Sequence, residues 1–350
     1  MFTIVEDIPD FILSGKLSHF VLFTDEEKLF FSFKHGSNII LSDFYYPDNS
    51  GLIFISSLQS LFERYFSEES IIEDFTYSVH GLSEQVDKTF HVLYCIYDTN
   101  LSSDAFISSF FLTRLQGKKR TLLENPEFLG MVITENISVT ITGNMMLNGK
   151  KISFGPYEYM SFSCPVSEYI PVYFNISPSS VQDSLNGTLI NYTVMAGKRK
   201  MTYYLIRPEY PVLNSFLFKN GFGLFETITI SGITTDKGKK HSTIALIGNI
   251  FHSFNESFDR EYEIVTSYLS DAEIPFFRDF LNSDQVLLLS SDNLSDKPVL
   301  ITEYTDECSD VLDGMTSFKF TWKYAQQNGR YINVTIPDGI FGDMFDDTFN

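Results

Sequence analysis

Thr316-Ser-Phe-Lys-Phe-Thr-Trp-Lys-Tyr324 alternates without a break. Phe318, Phe320, Trp322 and Tyr324 fall on one side of an extended chain, Lys319 and Lys323 on the other. Successive side chains of a strand point to opposite faces, so this run belongs to a sheet with one buried and one wet face. Just upstream, Gln285-Val-Leu-Leu-Leu289 and Pro298-Val-Leu-Ile-Thr-Glu-Tyr304 read as two more strands. Before them a helix is expected over 270–282. Leu269-Ser-Asp-Ala-Glu273 is a capping box, in which Ser270 takes the amide of Glu273 and Glu273 reaches back. Leu269 and Ile274 sit where a hydrophobic staple would, and Phe277 and Leu281 extend the apolar stripe.

The strand signal recurs toward the N-terminus. Phe20-Val-Leu-Phe23, Leu29-Phe-Phe-Ser-Phe33, Ile39-Ile-Leu-Ser-Asp-Phe44 and Leu52-Ile-Phe-Ile55 are strand-like runs. Turn residues such as Tyr46-Pro-Asp-Asn-Ser-Gly51 separate them. Leu58, Leu61, Phe62, Tyr65 and Phe66 then follow helical spacing, with Ser56 or Ser57 as the cap. Strands are expected again at Thr89–Tyr97 and Phe110–Leu115. Asn148-Gly149 supplies the positive φ angles of a tight hairpin turn, and Asn186-Gly187 repeats the signal. Arg207-Pro-Glu-Tyr-Pro211 marks a boundary. The expected fold is mainly β, with two or three β-sandwich-like domains and a few short helices. An N-terminal β domain with one helix spans 1–125, a middle β domain 126–212 and a C-terminal β domain 213–330. The acidic tail, 331–350, mixes Asp with Phe, Ile and Met, and is expected to fray or to dock its Phe residues on a neighbour.

Composition agrees with this reading. Hydrophobic residues make up 43% of the 350 and charged residues 20%, the balance of a globular chain. Phe (35) and Tyr (19) are heavily used, which suits pleated, half-buried surfaces. Acidic residues outnumber basic ones, 45 to 25, for a formal net charge of −20. Such a surface repels nucleic acid and anionic membrane, which argues against DNA binding by attraction. Met1-Phe-Thr-Ile-Val-Glu-Asp-Ile-Pro-Asp10 has no basic segment and does not read as a secretory leader. No apolar run is long enough to cross a bilayer. Cys95, Cys164 and Cys308 are far apart and odd in number, which fits reduced thiols.

No catalytic, cofactor-binding or metal-ligating residue is expected. His19, His35, His80, His91, His241 and His252 do not stand at ligand spacing from another His, Cys or acid. Gly221-Phe-Gly223 lacks the third glycine of a dinucleotide loop and leads into a strand. Gly117-Lys-Lys-Arg120 lacks the upstream glycine and the hydroxyl residue of a P-loop. Asp306, Glu307, Asp310 and Asp313 form a dense acidic cluster without the glycine and closing Glu of a calcium loop. One pattern is left over. Gly117-Lys-Lys-Arg120, Gly197-Lys-Arg-Lys200 and Lys237-Gly-Lys-Lys240 place basic residues beside glycine between strand candidates, as loop tips would. Such tips discourage stray strand pairing. Alternatively they meet the acidic body of an adjacent subunit and set its register.

The stretch from Gly221 to Arg330 resembles a tail-associated structural protein common in phages and prophages of Bacteroides-type bacteria. Gly221-Phe-Gly-Leu-Phe-Glu-Thr-Ile-Thr-Ile-Ser-Gly-Ile-Thr-Thr235 and Leu269-Ser-Asp-Ala-Glu-Ile-Pro-Phe-Phe-Arg-Asp-Phe-Leu281 carry the resemblance. Val299-Leu-Ile-Thr302 and Phe318-Lys-Phe-Thr-Trp-Lys-Tyr-Ala325 complete it. Phe11-Ile-Leu-Ser-Gly-Lys-Leu-Ser-His-Phe20 and Asn125-Pro-Glu-Phe-Leu129 extend it more loosely to the N-terminal half. The bias toward Ile, Asn, Phe, Lys and Tyr fits such phages, the crAss-like group included. The order of strand, capped helix, strands and long hairpin is also similar to the belt or tube domains of phage distal tail and tail tube proteins.

The resemblance implies a virion structural protein of the tail or tail hub, and no enzyme. It implies a homo-oligomeric ring around the DNA ejection channel, with other tail or baseplate proteins as neighbours. Genomic DNA would pass the lumen without specific binding. The location implied is the virion tail, and the host cytoplasm during assembly. No cofactor and no membrane insertion are expected. A carbohydrate- or receptor-binding β-sandwich module on a tail or cell surface is the alternative. A glycoside hydrolase with its carboxylates scattered over several strands is a third reading.

Overall fold

The computed structural model describes residues 1–325 except 18, 68–69, 167, 207–212, 248, 290–295 and 309–315. The chain begins with β1 (Phe2–Glu6), β2 (Phe11–Leu13), β3 (His19–Thr24), β4 (Leu29–His35), β5 (Asn38–Tyr45) and β6 (Leu52–Ser56). Helix α1 (Leu58–Phe62), β7 (Ile72–His80) and β8 (Gln85–Leu93) follow. These strands form two sheets, ordered β1-β3-β6 and β2-β8-β7-β4-β5. Alternate residues of both supply one aromatic core, in which Phe20 meets Phe31 and Tyr77 at 5.4 and 4.9 Å between ring centres. Helix α1 closes it with Leu58 and Phe62. The expected serine cap is not made. Ser57 takes a left-handed conformation (φ 64°) and no side chain caps the helix. The Ser60 hydroxyl donates to the Ser57 carbonyl instead.

The middle of the chain contains α2 (Ser103–Ser109), β9 (Gly117–Thr121), β10 (Phe128–Ile133), β11 (Ile137–Leu147), β12 (Lys150–Phe162), β13 (Ile170–Asn175), α3 (Pro178–Asp183), β14 (Thr188–Ala196) and β15 (Arg199–Leu205). Sheets β12-β11-β14-β15-β9 and β10-β13 share a second core around Tyr192 and Tyr203, whose rings stack at 4.9 Å. Asn148 (φ 50°) and Gly149 (φ 76°) turn β11 into β12 as their positive φ requires. Asn186-Gly187 makes no hairpin: it follows α3, and neither residue has positive φ. The expected strand at Phe110–Leu115 is a buried loop. Phe111, Leu112 and Leu115 point inward, and the Gln116 side-chain amide donates to the Thr113 carbonyl at 2.7 Å. A side chain does there what a neighbouring strand would do. Strand β9 lies before residue 126, yet it is the parallel edge of the middle sheet, paired with β15.

The chain is mainly β with a few short helices, and its last unit is a closed barrel. Its strands are β16 (Leu213–Lys219), β17 (Phe225–Ile247), β18 (Ile250–Thr266), β19 (Val286–Leu288), β20 (Lys297–Cys308) and β21 (Thr316–Tyr324), with α4 (Glu273–Leu281) between β18 and β19. They close in the order β16-β17-β18-β21-β20-β19. In β21, Phe318, Phe320 and Trp322 are buried and Lys319 is exposed, so the alternation is realised. Helix α4 lays Phe276, Phe277, Phe280 and Leu281 on this core. It starts at Glu273 rather than Ser270, and the capping box is half formed. The Ser270 amide and hydroxyl donate to Glu273 Oε2 at 2.9 and 2.7 Å. The Glu273 amide, in turn, goes to the Ser270 carbonyl and not to its hydroxyl. A fourth apolar cluster, with Phe11, Leu93, Cys95, Leu112, Val132 and Phe222, ties the three units together.

Candidate functional site

The barrel carries its most distinctive feature on two strands. β17 is 23 residues long and β18 is 17. Among the described residues β17 pairs with β16 only as far as Ser231, and β18 pairs with β21 only from Tyr262 to Val265. Past the Asp236–Tyr262 pair the two strands pair with each other alone among the described residues, out to the Ile247–Ile250 pair. At ~3.3 Å per residue this arm extends about 40 Å. Its root is a stack of Tyr262 on Trp322, 4.3 Å between ring centres. Its shaft carries Lys237–Glu263, Lys239–Glu261 and Arg260–Asp236 ion pairs, the last two at 2.8 and 3.2 Å. Its end is apolar: Ile244, Leu246, Ile247, Ile250 and Phe251 are all exposed, Phe251 to 75%. A two-stranded ribbon is marginally stable in water. Exposed apolar side chains gathered at its end mark a surface that another surface covers.

The three basic clusters are not loop tips on the surface. Lys119 is buried on β9, its ammonium 2.8 Å from Glu127 Oε2 and 3.4 Å from Glu226 Oε1. Glu226 also accepts from the Thr113 hydroxyl at 2.8 Å and the Asn220 side-chain amide at 3.1 Å. Burial opposes the charge of Lys119, yet the two carboxylates outweigh it and raise its pKa. Burial raises Glu127 as well, against the pull of Lys119. Arg199, beside the hairpin turn at Gly197, is buried and donates to the carbonyls of Phe110, Ile107 and Val132. Lys237 and Lys239 are the arm's shaft. Of the three clusters, only the Gly197-Lys198 part is a turn. Charged runs carry no apolar mark to show which member faces inward, so the sequence pattern does not separate buried Lys119 and Arg199 from their exposed neighbours.

Histidines without ligand spacing in the sequence do find acids in the fold. His19 pairs with Glu6 at 2.6 Å, His35 with Glu73 at 2.8 Å and His91 with Asp74 at 2.5 Å. His35, Glu73, Asp74, His91, Glu168 and Tyr169 border an open cleft of about 650 Å³. His80 lies edge-on to Phe30, and His252 is on the arm. The His241 side chain lies outside the described residues. Among the described residues, no three His, Cys, Asp or Glu side chains are grouped to hold a metal ion. Asp306 pairs with Arg278, whereas the Glu307 side chain, Asp310 and Asp313 lie outside the described residues. Cys95 is buried, which pushes its thiol up to about 12. Cys164 is also a free thiol, and the Cys308 side chain is not among the described ones. Gly221 is needed for a different reason from phosphate binding. A Cβ there would overlap the Tyr97 ring, and the Gly221 amide donates to buried Asp279 on α4 at 3.3 Å.

No family model matches the chain. No curated protein matches it either. Among the solved structures that match, two show weak likeness. One is a chain from the tail of an empty GTA particle with C6 symmetry: 33% of this chain and 92% of that one are covered, at 18% identity and a TM-score of 0.23. The other is the N-terminal eight Ig domains of Down syndrome cell adhesion molecule: 91% and 36% are covered, at 7% identity and a TM-score of 0.18. Neither superposition is close enough to carry a function. Among the described residues, no helix is long and apolar enough to cross a membrane.

Proposed function

We propose that this chain is a structural protein of a phage tail or tail hub. Copies form a ring around the channel through which DNA is ejected. The observation that carries the reading is the β17–β18 arm, a ribbon paired only with itself among the described residues and tipped by Ile244, Leu246, Ile247, Ile250 and Phe251. An arm with an apolar end is stable when a second subunit covers it. The resemblance of Gly221–Arg330 to tail-associated proteins supplies the assembly in which such subunits belong. The net charge of −20 suits a wall that DNA passes without adhering. The role is architectural and uses no cofactor. Neighbours are other tail or baseplate proteins, and the location is the virion.

Light scattering and negative-stain imaging of the purified chain test this. Closed rings are expected. A chain shortened by the arm's outer half, residues 240–257, should keep its Trp322 fluorescence and lose the rings. A full-length chain that stays monomeric at high concentration would sink the proposal.

A further inference from the structure

A second surface needs an occupant, and it lies away from the arm. Between β9 and the first turn of α4 runs a groove of about 640 Å³, bordered by Leu115, Lys118, Arg120, Ile206, Ala272 and Glu273, one oxygen of Glu273 being engaged by the Ser270 amide and hydroxyl. At its inner end it meets Ile230, Leu269 and Phe276 of the barrel unit. Among the described residues β9 pairs on one side only, with β15, and is the edge of its sheet. Lys118 and Arg120 are exposed, and neither has an ion-pair partner among the described residues. In a chain with 45 acids to 25 bases, two neighbouring cations without partners point to an acidic ligand.

The chain contains a segment of the matching kind. Asp338-Gly-Ile-Phe-Gly-Asp-Met-Phe-Asp-Asp-Thr-Phe-Asn350 holds four Asp residues and no Lys or Arg. Ile340, Phe341, Met344, Phe345 and Phe349 recur every three or four residues, the spacing by which an amphipathic peptide fills an apolar groove. Reach is sufficient. Thr316 bridges to Leu269 at the groove, and β21 runs from there to Tyr324, about 27 Å at ~3.3 Å per residue. Residues 325–337 span up to about 43 Å when extended. We propose that Asp338–Asn350 docks in the groove between β9 and α4 of its own chain, its aromatic residues on Leu115 and Ile206 and its Asp residues beside Lys118 and Arg120. This is independent of whether the chain forms rings.

Hydrogen–deuterium exchange on the whole chain, compared with a chain ending at residue 337, tests the docking. Removal of the segment should speed exchange about tenfold in 115–121 and 270–277 and leave the arm and the N-terminal sheets unchanged. Lys118→Glu with Arg120→Glu in the full chain should produce the same local gain at unchanged near-UV circular dichroism. A photo-crosslinking phenylalanine analogue at position 345 should capture 115–121 within one chain. Equal exchange with and without the segment would overturn the proposal. Capture only between chains would overturn it too, since the occupant would then be a second copy.

Discussion

Asp279 sits on α4 with its carboxylate turned away from water, accepting from the Tyr97 hydroxyl and the Gly221 amide. Burial pushes this carboxyl from 3.8 up to about 7, against the pull of the Gly221 amide. Between those values the folded chain holds a proton that the unfolded chain has released. The resulting stabilisation is full below about pH 4 and is lost as pH rises through about 7. Asp279→Asn cannot titrate and keeps one acceptor. Relative to wild type it should flatten the pH slope of urea stability across that window, by an amount on the order of a few kcal/mol. Parallel slopes for the two proteins would show that the proton is held elsewhere. Lys119 makes the opposite case, a charge that must stay. Lys119→Met strands the Glu127 and Glu226 carboxylates, and it should cost about 3–5 kcal/mol in a urea melt. Adding Glu127→Gln and Glu226→Gln should recover much of that loss. If the single variant is as stable as wild type, the buried charges are not coupled.

At the scale of elements, β21 and the arm should respond differently to the loss of one aromatic residue. Phe320 packs at 5.7–5.8 Å from Phe277 and Phe280, so Phe320→Ala should cost about 3–5 kcal/mol. Phe251 lies on the arm with no core around it, so Phe251→Ser should change the monomer's stability by less than about 0.5 kcal/mol and weaken association. The same contrast explains what could be read in advance. β21 alternates because one of its faces is dry, and any strand of that kind writes its partner's position into its own residues. The arm has water on both faces, so Thr234 to His241 carry no alternation and Lys237–Lys240 looked like the tip of a loop. β9 was hidden for a related reason. Lys118, Lys119 and Arg120 are all basic, and what separates them is Glu226, 107 residues away from Lys119. The presence of α4 was legible from Ser270 and Glu273 because a capping box is local, although only half of the box forms and the helix starts three residues later than expected.

For the whole molecule the dominant quantity is charge. Each copy carries −20, so bringing copies together at low ionic strength is opposed by repulsion over distances near the Debye length, ~10 Å at 0.1 M salt. The contact offered by the arm tip is apolar, and salt does not screen an apolar contact. The shaft's ion pairs lie within one chain and are exposed, worth roughly 0–1 kcal/mol each, so their screening changes the monomer little. Rising salt therefore removes a penalty without removing the attraction. Sedimentation of the full chain should show the ring population growing as sodium chloride is raised from dilute buffer. The arm-shortened chain should stay monomeric throughout. Rings that dissolve with salt would mean that ion pairs between copies, and not the apolar arm tip, hold the assembly together.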